Sequence, residues 1–124
     1  MVMFRDLIYS QETIKGVAAT KAPTHLPKIK APDEVKADQP FEVEVSVGPH
    51  PSTSEHYISK VEIYLSEEGR DFNPVHLASI NIAPSYVEPT IKLTLKLKKN
   101  STIHALAYCT LHGIWESRKE IKVK

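Results

Sequence analysis

The chain has 124 residues, of which 41% are hydrophobic and 25% are charged. These values are typical of one globular domain that is long enough to bury a core. The net charge of +1 gives no general attraction to nucleic acid or to acidic lipid. No stretch of the sequence approaches the ~20 apolar residues that cross a bilayer. We therefore expect a single domain over residues 1–124, with no nucleic-acid or membrane partner.

The first 24 residues lack a clear hydrophobic period, and we expect an N-terminal arm and loop over residues 1–24. Phe4 to Ile14 would hold either a helical turn or two or a loosely packed arm. The first ten residues are interrupted by Arg5 and Asp6 and contain no small-residue cleavage site, which argues against a secretory signal. The predicted compartment is the cytoplasm.

Strand patterns follow through the rest of the chain, separated by turn signals at intervals of roughly 8–12 residues. Apolar and polar residues alternate most regularly in Phe41–Val47 and Thr90–Leu97. The predicted strands are Lys28–Ala31, Phe41–Val47, Tyr57–Leu65, Val75–Ile82, Thr90–Leu97, Thr102–Tyr108 and Trp115–Val123. This pattern predicts an all-β fold, an immunoglobulin-like seven-stranded antiparallel sandwich.

The chain has one cysteine, Cys109, so it cannot form an intrachain disulfide. A lone cysteine in an intracellular chain is a buried small hydrophobe, a nucleophile or a metal ligand. His112 follows three residues later, and Gly113 allows a turn that would bring the thiolate and the imidazole onto one metal. Alone this pair is a weak signal, because a cysteine three residues before a histidine is common by chance.

The six histidines divide into two groups. His76 and His104 each lie inside a predicted strand and alternate with apolar neighbours, which favours surface positions or hydrogen-bonded core positions. The four that fall on loops or at strand ends are His25, His50, His56 and His112. Because the loops of a sandwich gather at its two ends, these four and Cys109 can converge on one metal.

Such a donor set narrows the choice of metal. Structural zinc takes four ligands, usually including two or more thiolates, whereas four imidazoles and one thiolate make five donors. On a six-coordinate ion such as iron, five donors leave one open position for a small molecule. A thiolate opposite that position pushes electron density toward whatever binds there, as in thiolate-ligated haem. The residues therefore favour a redox-active iron centre.

Four stretches of the sequence carry a resemblance to a known family. They are His25-Leu26-Pro27, His50-Pro51 with Glu55-His56-Tyr57-Ile58, Val61-Glu62-Ile63-Tyr64-Leu65 and Ala107-Tyr108-Cys109-Thr110-Leu111-His112-Gly113-Ile114-Trp115. From about Thr24 to Trp115, their order and spacing resemble those of superoxide reductases of the one-iron neelaredoxin type, in the desulfoferrodoxin family. The resemblance implies the same immunoglobulin-like sandwich that the strand pattern predicts.

The resemblance also implies a site and a reaction. It makes Cys109 the axial thiolate, and it implies reduction of superoxide to hydrogen peroxide at Fe(II) without release of dioxygen. The implied equatorial nitrogen ligands are His25, His50, His56 and His112. Superoxide is the implied substrate, a rubredoxin-like protein is the implied electron donor, and the implied assembly is a homotetramer.

One departure from the family concerns the two residues before His25. The family usually has glutamate and lysine there, the first able to bind ferric iron and the second supplying positive charge. Here the positions hold Pro23, which has no side-chain oxygen, and Thr24, which carries no charge. Three interpretations are open: the site works without either group, Lys21 supplies the charge instead, or a residue here is an engineered substitution. Lys21 and Thr24 are therefore the candidate catalytic residues.

Two functions of other classes also stay open from the sequence. The chain would be a non-catalytic immunoglobulin-like binding module if the histidines are incidental. It would be a metal-holding structural domain if the ion is zinc or copper. A tightly bound redox-active iron distinguishes the reductase from both.

Overall fold

The computed structural model describes residues 2–124 and contains a 3₁₀ turn (Phe4–Leu7), one α-helix, α1 (Val17–His25), and nine strands. The strands are β1 (Tyr9–Ser10), β2 (Lys28–Lys30), β3 (Glu34–Val35), β4 (Phe41–Ser46), β5 (Ile58–Glu67), β6 (Val75–Asn81), β7 (Thr90–Leu95), β8 (Ser101–Cys109) and β9 (Gly113–Val123). Within residues 2–124, no helix has the length and apolar character needed to cross a membrane.

The strands form two sheets that pack against each other. One sheet has the order β1-β9-β8-β5-β6, with β3 also pairing with β9, and the other has the order β2-β4-β7. The pairs among β2 and β4 to β9 are all antiparallel, whereas β1 and β3 run parallel to β9. The predicted β-sandwich is confirmed, and the seven predicted strands correspond to β2 and β4 to β9. The two extra strands have two residues each, too few to carry a hydrophobic period.

Alternating apolar residues of both sheets fill the space between them. In β8 every second residue is buried along the whole strand, and Ile103 and Ala105 have no exposed surface. From the facing sheet, Val43 and Val45 of β4 enter the same core, as the alternation in the sequence predicts. This core supports β5 and β8, and the loops around the ends of these two strands carry the candidate ligands.

The region before β2 differs from the predicted arm and loop over residues 1–24. Residues 17–25 form helix α1, and His25 is its last residue rather than part of a loop. Alanines at positions 18, 19 and 22 favour the helix. Pro23 lies inside its last turn, where it removes a backbone donor, and the segment has no strong apolar face. The hydrophobic pattern alone therefore does not reveal this helix.

Truncation of a core side chain tests this packing. Ile63 of β5 has no exposed surface, so Ile63→Ala should lower the free energy of unfolding by about 2–5 kcal/mol through lost burial and a residual cavity. Phe72 is a matched control, because it is 83% exposed and Phe72→Ala should change the value by about 0.5 kcal/mol or less. Urea denaturation measures both, and equal effects would contradict the assigned core.

Candidate metal centre

Four segments of the fold bring the candidate ligands to one place. His25 comes from the end of α1, and Cys109 is the last residue of β8. His50 and His56 lie on the loop between β4 and β5, and His112 lies on the turn between β8 and β9. The bonding atoms of His25, His50, His56 and Cys109 all lie within 4.8 Å of one another.

The turn between β8 and β9 places two of these groups on the same side. Cys109 pairs with Gly113 across the hairpin, leaving a loop of three residues between them. Gly113 has a φ of +83°, a left-handed conformation that favours glycine and often closes such loops. The His112 backbone N–H then lies 3.4 Å from the Cys109 sulfur, to which it donates a hydrogen bond.

The loop between β4 and β5 holds its two histidines through backbone constraints. Gly48 has a φ of +130°, and a Cβ atom there would lie 3.0 Å from the backbone nitrogen of His50. At the other end of the loop, His56 and Thr53 exchange two backbone hydrogen bonds, of 3.0 and 3.2 Å. Both imidazoles therefore project from a loop that needs a glycine at its start and is held by backbone hydrogen bonds at its end.

The four imidazole rings form a closed square of edge-to-face contacts. Neighbouring ring centroids are 4.7 or 5.0 Å apart, and neighbouring planes meet at 74–79°. The order around the square is His25, His50, His56, His112 and back to His25. Such a ring of four imidazoles directs nitrogen atoms toward a common centre.

Hydrogen bonds at the backs of two rings fix which nitrogen points inward. The Nδ1 atom of His25 lies 3.0 Å from the Lys21 carbonyl oxygen, and that of His50 lies 2.7 Å from the Pro51 carbonyl oxygen. Because a carbonyl oxygen only accepts, each Nδ1 carries a proton and donates it. Both Nε2 atoms then keep their lone pairs, which is the tautomer that metal-binding histidines use.

The inward nitrogen atoms lie close to one another, and no proton lies between those of His25 and His50. The Nε2 atoms of His25 and His50 are 3.2 Å apart, and the Nδ1 atom of His112 is 3.1 Å from the Nε2 atom of His25. The centre of a square with such edges lies about 2.2 Å from each corner, close to the ~2.0–2.1 Å that imidazole takes to zinc. The spacing therefore fits one metal ion.

The thiol completes the donor set. The Cys109 sulfur is 3.4 Å from the Nε2 atom of His50 and 3.7 Å from the Nδ1 atom of His112. It is 7% exposed, so the protein rather than solvent surrounds it. Four nitrogen atoms and one sulfur atom converge here, which exceeds the four ligands of structural zinc and suits iron with one open position.

The protonation of the site also suits a cation. The pKa of His25 is lowered to about 4, mainly by burial and in part by the neighbouring imidazoles, against the raising effect of the hydrogen bond to Lys21. Burial is also the main cause that lowers the pKa of His50. Within residues 2–124, the buried Nε2 atom of His56 has no hydrogen-bond partner. Uncharged rings and an orphaned buried nitrogen are what a metal ion would satisfy.

The remaining two histidines have polar partners in the strands. The Nε2 atom of His76 lies 2.6 Å from the Ser79 hydroxyl, and that of His104 lies 2.8 Å from the Ser66 hydroxyl. The Nδ1 atom of His104 is also 3.7 Å from the Glu116 carboxylate. These contacts agree with the hydrogen-bonded strand positions that the sequence indicates for both.

Helix α1 explains where the two candidate catalytic residues lie. The Thr24 hydroxyl is 2.8 Å from the Nδ1 atom of His25, at the back of the ring, so it orients the ligand. Lys21 precedes His25 by four residues, one helical turn, and therefore shares its face of the helix. After burial, the positive charge of Lys21 is the next cause that lowers the pKa of His112, which places this charge near the site.

Two aromatic residues beside the centre were not assigned a role from the sequence. Trp115 is 1% exposed, and its ring centroid lies 5.0 Å from that of His25 and 4.7 Å from that of Tyr9. Trp115 follows Gly113 by two residues and begins a predicted strand, so its place beside the site can be inferred from the sequence. Tyr9 offers none, because its contact with Trp115 depends on a parallel pairing between β1 and β9.

Removal of the His56 ring tests the proposed set of metal donors, because within residues 2–124 its buried Nε2 atom has no hydrogen-bond partner. His56→Ala should reduce affinity for Fe(II) by more than the ~10–100-fold that loss of an outer hydrogen-bond partner costs, because a direct donor is removed. Competition with a chelator measures the affinity, and His76→Ala serves as the histidine control. Equal affinities of the two variants would remove His56 from the site.

Comparisons with known proteins agree with this geometry. The desulfoferrodoxin family matches residues 17–118. A superoxide reductase from Pyrococcus furiosus is 35% identical over 120 residues, which cover 86% of this chain and 94% of that protein. A neelaredoxin from Megalodesulfovibrio gigas is 34% identical over 119 residues, 84% of this chain and 91% of that protein.

A solved structure is similar over nearly the whole chain. The superoxide reductase (neelaredoxin) from Ignicoccus hospitalis is 54% identical and superimposes with a TM-score of 0.92, covering 99% of this chain and 100% of that one. The order of the ligand motifs, the sandwich and these matches lead to one conclusion. The chain belongs to the desulfoferrodoxin family.

Proposed function

We propose that the chain reduces superoxide to hydrogen peroxide at one iron ion held by four imidazoles and a thiolate. The observation that carries the proposal is the convergence of imidazole nitrogen atoms and one cysteine sulfur at distances that fit a metal ion, with the nitrogen atoms of His25 and His50 unprotonated. The proposed ligands are His25, His50, His56, Cys109 and His112. A non-catalytic binding module gives no reason for lone pairs to face one another at such distances.

The donor set suits the proposed chemistry. When bound, iron supplies one electron per turnover and an open coordination position. The buried Cys109 would supply the thiolate, which would raise electron density at the centre. The hydrogen bonds at Nδ1 of His25 and His50 hold these rings in the orientation and tautomer that binding needs.

Lys21 is the proposed source of positive charge for the anionic substrate. Its charge lies near enough to His112 to lower the pKa of that ring. Positive potential beside an open site raises the local concentration of superoxide and hence the association rate. We propose that Thr24 acts on His25 rather than on substrate, because its hydroxyl contacts the back of that ring.

Pro23 stands where the family usually has a glutamate. Its ring lies inside α1 and has no oxygen, so it can neither coordinate iron nor accept a proton. We propose that solvent takes both roles here. The reaction consumes one electron and two protons per superoxide, and water can deliver the protons where no protein carboxylate stands.

The proposal also includes an electron donor, an oligomeric state and a cellular compartment. A rubredoxin-like protein fits as electron donor, because the centre needs one electron per cycle. The exposed apolar side chains of the N-terminal arm, Phe4 and Leu7 among them, would be covered in a homotetramer of this 124-residue iron-binding domain. A cytoplasmic location fits Cys109, since the cytoplasm keeps thiols reduced.

The reaction itself is tested with purified iron-loaded protein. The reduced protein should consume superoxide generated by pulse radiolysis and yield one hydrogen peroxide per superoxide without dioxygen. Cys109→Ser should remove the visible thiolate-to-iron absorption band of the oxidised protein and slow the reaction. Dioxygen release, or a band that survives in Cys109→Ser, would contradict the proposed reaction or the proposed ligand.

The contribution of Lys21 is tested by removing its charge. Lys21→Ala should lower the bimolecular rate with superoxide several-fold at low salt and weaken its salt dependence, because salt screens the attraction between a charge near the surface and the anion. Lys96→Ala is the control, since Lys96 is an exposed residue directly after β7 and carries the same charge. Identical rates for the two variants would exclude Lys21 from steering.

A further inference from the structure

Tyr9 and Trp115 extend the centre toward the protein surface through stacked rings. The ring centroids of His25 and Trp115 are 5.0 Å apart, and those of Trp115 and Tyr9 are 4.7 Å apart. Both distances are typical of aromatic contact. Trp115 is 1% exposed, whereas Tyr9 keeps 37% of its surface exposed. Three aromatic rings in contact therefore lead from a proposed ligand to solvent.

Backbone contacts hold these rings in place. Tyr9 pairs with Trp115 in the parallel register of β1 and β9. The Tyr9 ring lies over Gly113, 3.4 Å from the position that a Cβ atom would take there. The Trp115 indole N–H donates a hydrogen bond of 3.0 Å to the His112 carbonyl oxygen. Trp115 thus contacts the ring of one proposed ligand and the backbone of another.

We propose that Trp115 and Tyr9 carry oxidising equivalents away from the metal centre and so protect its thiolate from peroxide. This inference rests on the proposed function, because hydrogen peroxide then forms within reach of Cys109. A thiolate oxidised beyond the sulfenic state is lost as a ligand, since sulfinic and sulfonic acids are not reduced by ordinary thiols. Indole and phenol are the side chains here that can lose one electron and be restored.

The electrons and protons of the protective step balance as follows. Hydrogen peroxide takes two electrons and two protons and becomes two water molecules. The ferrous centre gives one electron and becomes ferric, and the indole of Trp115 gives the other. Tyr9 returns an electron to Trp115 and releases its phenolic proton, which leaves a phenoxyl radical. The second proton comes from solvent. A small thiol then restores the phenol by giving one electron and one proton, and two of the resulting thiyl radicals combine to a disulfide.

Two other tyrosines, Tyr108 and Tyr86, do not offer this route. Tyr108 precedes Cys109 in sequence, but its hydroxyl donates a 2.5 Å hydrogen bond to Glu62, a residue that is 8% exposed. Tyr86 is 90% exposed, so little of its ring is packed against the protein. Tyr9 combines contact with Trp115 and access to solvent, which are the two properties that the step needs.

The first test uses Tyr9→Phe in the iron-loaded protein. Phenylalanine keeps the ring over Gly113 but removes the oxidisable phenol, and Tyr86→Phe is the matched surface control. Ferrous protein is mixed with hydrogen peroxide and freeze-quenched for electron paramagnetic resonance, and oxidised residues are mapped by mass spectrometry. Wild type and Tyr86→Phe should show a tyrosyl radical. Tyr9→Phe should lose it and accumulate oxidised Cys109 and Trp115 several-fold faster.

The second test does not depend on iron. In zinc-loaded protein, a laser flash photoionises the indole, and Trp115 is the only tryptophan in the chain. Its radical absorbs in the visible and should decay as a phenoxyl radical appears. In Tyr9→Phe the tryptophan radical should persist several-fold longer, while Tyr86→Phe should behave as wild type. This measurement reports the connection between the rings whatever the iron protein does.

The outcomes separate this inference from the proposed function. Equal radical yields and equal Cys109 oxidation in Tyr9→Phe and wild type would overturn the protective route, even with superoxide reduction intact. Equal lifetimes of the tryptophan radical in the zinc-loaded proteins would overturn it independently. Radical transfer from Trp115 to Tyr9 in a protein that reduces no superoxide would support the route and contradict the proposed function.

Discussion

The arrangement of the centre depends on one constraint, the close approach of imidazole lone pairs. The Nε2 atoms of His25 and His50 face each other at 3.2 Å, and carbonyl oxygens behind both rings keep the protons on Nδ1. Two lone pairs at this distance repel unless a cation lies between them. A metal ion therefore relieves a cost that the fold carries, so its binding free energy also stabilises the folded chain.

The sandwich tolerates this repulsion between lone pairs because its hydrophobic core is complete without the metal. The buried alternation of β8 ends at Cys109, and β5 beside it has three residues without exposed surface or nearly so. His25 reaches the same point from α1, outside both sheets. A metal would thus tie the helix, one loop and one hairpin to a core that is already fixed.

Helix α1 determines which residues lie near His25. Had residues 21–25 been extended, neighbouring side chains would alternate between two faces, and Lys21 would lie more than roughly 10 Å along the chain from His25. In α1 the residue one turn earlier shares its face, so Lys21 comes near the site while Thr24 turns to the back of the ring. Pro23, two residues before His25 in the same turn, has no side-chain oxygen to offer the site.

The sequence by itself determined seven of the nine strands, because in the longer ones alternation over six or more residues reports a half-buried sheet. It also marked the ligand set, because histidines on loops and a lone cysteine before His112 are unusual together. It did not determine α1, whose propensity is local and whose proline conceals it. Only the tertiary structure decided that the inward nitrogen atoms meet at one point, and that Tyr9 reaches Trp115. Both depend on contacts between segments distant in sequence, which no local pattern records.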